Sequence, residues 1–97
     1  MKAIVCNEFA PVEELQYIDV PDPVAKKGEV VVDIKACGVN FPDGLLVQGL
    51  YQMKPPRPFI PGGEVAGVIS QIGEGVSHLK VGMRVIALCM LGGYAEK

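Results

Sequence analysis

Hydrophobic and polar positions alternate with a period of two in several short runs, and each run predicts a strand. Met1 to Cys6 alternates with β-branched residues at its middle, and Leu15 to Val20 sets Leu15, Tyr17 and Asp19 on one face. Glu29 to Cys37 carries Val30, Val31 and Val32 followed by Ile34, and Glu64 to Ile72 and Arg84 to Leu91 repeat the pattern. Glycine and proline punctuate these runs at Pro21-Asp22-Pro23, Lys27-Gly28, Gly73-Glu74-Gly75, Val81-Gly82 and Gly92-Gly93, where turns are expected. Many short strands broken in this way predict a mainly β domain, a barrel or sandwich rather than a parallel α/β sheet.

One segment departs from that period. Phe41 to Gln48 has Pro42 where a helix can begin, Asn40 before it as a cap and Gly49 after it as a stop, which predicts a helix of about two turns. The run from Lys54 to Pro61 follows, with prolines at 55, 56, 58 and 61 that exclude helix and central strand and predict an extended surface loop. Gly62, Gly63 and Gly67, at the start of a strand, predict a bulge or a close backbone approach, because glycine weakens a strand unless the missing side chain is needed.

Composition narrows the function classes. The 97 residues are 49% hydrophobic and 21% charged with net charge −2, the balance of one globular domain. Lys26 and Lys27 are the only adjacent basic pair, so no basic run tracks a phosphate backbone and nucleic acid is not an expected partner. The longest apolar stretches fall far short of the ~20 residues of a membrane span, and no signal-peptide core follows Lys2, so no membrane partner is expected. Cys6, Cys37 and Cys89 are widely spaced, with His78 the sole histidine, and read as reduced, structural thiols. No Gly-x-Gly-x-x-Gly or P-loop pattern is present, so the chain carries no phosphate cradle of its own.

Four segments, in order, carry a family resemblance: Met1-Lys2-Ala3, Gly38-Val39-Asn40-Phe41-Pro42-Asp43, Pro61 to Ile69, and Gly73-Glu74-Gly75-Val76 leading to Val81-Gly82-Met83-Arg84-Val85. The closing Gly92-Gly93-Tyr94-Ala95-Glu96 extends it. Together they resemble the N-terminal, GroES-like domain of the medium-chain dehydrogenase/reductase superfamily. The resemblance implies a partly open GroES-like barrel with one short helix (residues about 41–48) and a Pro-rich loop. It also implies that residues 1–97 are the substrate and catalytic domain of a larger two-domain, homodimeric enzyme whose Rossmann domain lies outside this chain; a cytoplasmic location is expected from the absence of a signal-peptide core and membrane span.

Two departures select a branch. Zinc-dependent alcohol dehydrogenases place a cysteine ligand where Asn40 stands and a histidine ligand where Gly63 stands, and Glu64 alone falls short of the three protein ligands of a catalytic zinc. The resemblance therefore points to the zinc-free, NADPH-dependent quinone oxidoreductase branch, with a quinone, an enone or an enoyl thioester as acceptor. Such acceptors spread the incoming charge over a π-system, so hydrogen bonds can replace a Lewis acid.

In that branch the Gly-Val-Asn-x-x-Asp motif and a tyrosine after the helix border the nicotinamide end of NADPH. This implies a catalytic role for Asn40 and Tyr51 and a cofactor-binding role for Asn40 and Asp43, with no metal ligand. Structural alternatives stand beside each: Asn40 as a helix cap, Asp43 as a first-turn acid, Tyr51 as core packing. Some members carry a second tyrosine where this chain has Leu45, and Glu64 is either a carboxylate behind the cofactor or the partner of an arginine such as Arg84. A competing reading is a cochaperonin-like binding module without catalysis, a family of the same fold and length that carries a glycine-rich mobile loop near residue 20, where this chain has Pro21-Asp22-Pro23. An interaction domain kept without its catalytic half is a third.

Overall fold

The computed structural model describes all 97 residues. Alternating sequence becomes two antiparallel sheets. Strand β1 (Lys2–Val5) pairs with β2 (Gln16–Asp19), and β3 (Val30–Cys37), β4 (Glu64–Ile72) and β5 (Arg84–Leu88) form a second sheet in the order β3-β4-β5. The fold is mainly β with one helix, α1 (Phe41–Val47), and the ladders do not close into a barrel. A single 3-10 turn (Val12–Glu14) lies between β1 and β2.

The segment from Tyr94 to Glu96 stitches the two sheets together. Ile4 N–H donates to the Tyr94 carbonyl at 2.8 Å, Glu96 N–H to the Lys2 carbonyl at 3.2 Å, and Ile34 N–H to the Glu96 carbonyl at 2.8 Å. These bonds satisfy backbone groups of β1 and β3 that no regular strand meets.

Burial follows the alternation. In β4, Val65 and Ile69 are buried, as are Ala3 and Val5 of β1 and Val31 of β3. An apolar cluster, Cys6, Leu46, Val47 and Phe59, seats the inner face of α1, with Phe9, Leu15, Met53 and Leu91 packed against it. Gly67 is the close approach expected of it: a Cβ there would collide with the carbonyl of Asp33 in the neighbouring strand, beside the register shift between Ile34 and Ala36.

Several boundaries differ from the sequence reading. The last strand ends at Leu88 rather than Leu91, because the chain turns towards Gly92, whose φ is 103° and whose N–H reaches the Ile60 carbonyl at 2.8 Å. The second strand, placed at Leu15 to Val20, keeps only Gln16–Asp19, and its residues are exposed, so Tyr17 and Asp19 do not enter the core with Leu15. The helix ends at Val47 with Gln48 as its cap.

Candidate functional site

The N-terminus of α1, the loop after it, the start of β4 and the end of β5 converge on one cleft of about 340 Å³. Asn40 and Asp43 come from the helix, Tyr51 from the following loop, Gly63 and Glu64 from β4, and Leu88 and Met90 from β5 and its extension. Pro42, Leu46 and Met53 supply much of the remaining apolar wall. All three side chains singled out from sequence, Asn40, Asp43 and Tyr51, therefore face one space.

Asp43 organises the site. It is 9% exposed, and its Oδ2 accepts two hydrogen bonds, from the Asn40 N–H at 2.9 Å and from the Tyr94 hydroxyl at 2.7 Å. The first of these is the carboxylate half of a capping box, satisfying a donor at the helix start. The Asn40 side chain forms the other half of the box, its oxygen set against the Asp43 N–H, while its NH₂ group is exposed at the cleft. The cap expected of Asn40 is thus present as a capping box shared with Asp43. Both bonds use Oδ2, which leaves Asp43 Oδ1 without a partner inside the chain.

Tyr94 is the residue the sequence reading missed. Its position is fixed by Gly62, whose φ of 105° few residues other than glycine adopt, and where a Cβ would come within 2.6 Å of the Tyr94 ring. Burial pushes the Tyr94 hydroxyl far above the ordinary tyrosine range, and the hydrogen bond and negative charge of Asp43 push it further. Tyr94 therefore stays protonated at neutral pH and serves as a fixed donor to Asp43 rather than as an acid or base. The only signal for this in the sequence was the Gly-Gly-Tyr-Ala-Glu segment itself, read as a strand.

Tyr51 is 38% exposed at the cleft, and its hydroxyl makes no hydrogen bond within the chain. Glu64 is exposed and forms no ion pair. Its expected pairing with Arg84 is not made: Glu64 sits opposite Leu88 and Arg84 opposite Val68, at the other end of the same ladder. The thiols of Cys37 and Cys89 lie close enough to Asp43 to feel its charge, but burial is the main cause that raises both above the ordinary thiol value. No group of three or more His, Cys, Asp or Glu side chains is placed to hold a metal ion.

With this geometry in place, the likeness to known proteins is specific. The alcohol dehydrogenase GroES-like domain matches residues 26–97. The chain belongs to that family. It falls in the quinone oxidoreductase branch of the medium-chain dehydrogenase/reductase superfamily. It is 42% identical over 96 residues to quinone oxidoreductase-like protein 2 of Rattus norvegicus, covering 99% of this chain and 27% of that protein. It is 46% identical over 85 residues to an alcohol dehydrogenase of Moraxella sp. (strain TAE123), covering 88% and 25%. Among solved structures, the Escherichia coli quinone oxidoreductase complexed with NADPH superimposes with a TM-score of 0.91 at 36% identity, over 99% of this chain and 29% of that one. This GroES-like domain thus spans about a quarter to a third of the length of the relatives it matches. No helix in it is long and apolar enough to cross a membrane.

Proposed function

We propose that this GroES-like domain is the substrate and catalytic half of a cytoplasmic, homodimeric NADPH-dependent quinone or enone oxidoreductase that works without catalytic zinc. In this reading the dinucleotide-binding half lies in a second domain. The observation that carries the proposal is the convergence of an exposed Asn40 NH₂ group, the unpartnered Asp43 Oδ1 and a free Tyr51 hydroxyl on one cleft with apolar walls. Few polar groups in an otherwise apolar pocket fix a ligand's orientation without a large desolvation penalty.

These donors and acceptors fit the nicotinamide end of a dinucleotide. When bound, NADPH supplies the hydride, and the protein supplies placement and hydrogen bonds. The Asn40 NH₂ group is suited to donate to the carboxamide of the ring, and Asp43 Oδ1 is suited to accept from a hydroxyl. The Tyr51 hydroxyl, which lines the same cleft, would donate to the oxygen of the acceptor, where negative charge grows during reduction. Leu46 and Met53 supply the apolar floor of that space. Asn40 and Gly63, at the two zinc-ligand positions of the zinc enzymes, both line the cleft, and neither side chain supplies a thiolate or imidazole there. A quinone, an enone or an enoyl thioester is the matching acceptor class, because each delocalises the charge that zinc would otherwise hold.

The chain has no phosphate cradle, so alone it is proposed to hold the cofactor weakly and to turn over no acceptor. The test is an amide-resolved NMR titration of the 97-residue chain with reduced nicotinamide mononucleotide and, separately, with the adenosine half of the cofactor. The expected result is a shift of the Asn40 side-chain NH₂ and of residues near Tyr51 with the first probe only. Equal shifts with both probes, or shifts away from the cleft, would contradict the reading.

A further inference from the structure

Two carboxylates line the cleft and no basic side chain does: among its lining residues only Asp43 and Glu64 are ionisable acids, with no lysine, arginine or histidine beside them. The two differ in how far they are committed. Asp43 is buried and engaged through Oδ2, whereas Glu64 is exposed and in no ion pair. The basic residues of the loop after α1 are engaged elsewhere. Lys54 Nζ donates to the Tyr51 carbonyl at 3.1 Å, and the Arg57 guanidinium lies over the Phe9 ring, 4.2 Å from its centroid. The charge that this chain gives the cleft is therefore negative, and Glu64 is the part of it left without a partner.

The Glu64 side chain is seated against backbone. The Gly38 N–H donates to the Glu64 carbonyl at 3.1 Å, which sets the residue after β3 against the start of β4. The Glu64 carboxylate then occupies the space that a Cβ at Gly38 would fill. Glycine at 38 leaves that space open, so the carboxylate lies against the segment that leads through Val39 to Asn40, on the rim of the cleft.

We infer that Glu64 sets a charge preference in this cleft, favouring a nicotinamide ring that carries a positive charge over the same ring when neutral. The inference rests on the nicotinamide reading above and adds a residue to it. A neutral dihydronicotinamide that releases a hydride, with its electron pair, is left as a cation, and the acceptor that takes the pair becomes the anion. A carboxylate in the same cleft attracts the cationic form through space and leaves the neutral form unaffected. Glu64 thereby favours the ring as it stands after hydride transfer, which makes a bound dihydronicotinamide a stronger donor. Because Glu64 is exposed, water and salt screen the attraction, and the preference is expected to be roughly three- to fivefold in affinity, the upper part of the range for an exposed ion pair.

The experiment is an NMR titration of the 97-residue chain with two probes of nearly one shape, 1-methylnicotinamide, a cation, and its neutral 1,4-dihydro form. Wild type is compared with Glu64→Gln and with Glu74→Gln. Glu74 is exposed in the turn beyond the far end of β4, so its variant removes the same net charge at a distance. Wild type and Glu74→Gln are expected to bind the cation roughly three- to fivefold more tightly than the neutral probe at low salt, and less so as ionic strength rises. In Glu64→Gln the ratio is expected to fall below about twofold through weaker binding of the cation, with the neutral probe bound as before. Equal affinities in wild type, or a preference that Glu64→Gln retains or that Glu74→Gln loses as well, would overturn the inference and leave the nicotinamide reading in place. If neither probe shifts the Asn40 or Tyr51 signals, that reading falls and the inference falls with it.

Discussion

The hydroxyl of Tyr94 donates to Asp43 Oδ2 at 2.7 Å across 51 positions of sequence, and the same oxygen accepts the Asn40 N–H at 2.9 Å. The contact joins the last segment of the chain to the first turn of α1, so the geometry at Asn40 depends on a residue outside the helix.

Tyr94→Phe removes that donor and leaves the capping bond in place. A hydrogen bond to a charged group contributes about 1.5–3 kcal/mol, and the half-buried position of Tyr94 puts the expected loss near the low end of that range. Denaturant unfolding measures it. Unchanged stability would mean that the Tyr94 hydroxyl is equally well served by water.

Alkali should destabilise the fold in a defined window. Burial raises Tyr94, further helped by Asp43, and raises the thiols of Cys6, Cys37 and Cys89, so the folded state holds these protons more tightly than the unfolded state does. The resulting stability is complete below the ordinary thiol value of 9.0 and falls as pH rises, first through the thiols and then, from about pH 10, through Tyr94. Stability curves at rising pH test this. Tyr94→Phe should flatten the decline above pH 10, and the same slope in both proteins would contradict the assignment.

Zinc content is expected to be well below one per chain after dialysis, because Asn40 and Gly63 stand where the zinc enzymes have cysteine and histidine, and no three ligating side chains converge. Elemental analysis of the purified protein decides it. One zinc per chain whose removal unfolds the domain would contradict the account.

Much of the fold was legible because alternation and turn residues act locally. Glu64 to Ile72 was read with both ends correct, and the position of α1 followed from Pro42 and Gly49. Strand ends were less legible: Cys89 to Leu91 is as apolar as the strand before it, and only the contact of Gly92 with Ile60 turns the chain away. The gathering of Asn40, Asp43 and Tyr51 was implied by the family resemblance rather than by the residues alone, each of which also had a structural reading. The Tyr94–Asp43 bond was not, since nothing in either segment marks a pairing made by tertiary folding.

The most direct test of the site is Asn40 itself, measured in a full-length protein that carries this domain together with the proposed dinucleotide-binding half. Its side chain is one half of the capping box, so Asn40→Ala should cost about 1 kcal/mol of stability, whereas Asn40→Ser keeps a capping oxygen and an ordinary thermal midpoint. The alanine substitution should lower kcat/KM roughly 10- to 1000-fold, the range for losing a positioning contact or transition-state donor of about 1.4–4 kcal/mol. Asn40→Ser, too short to replace the amide, should lose activity as alanine does. Wild-type kcat/KM in the serine variant, with an ordinary midpoint, would show that Asn40 serves the helix and not the hydride transfer.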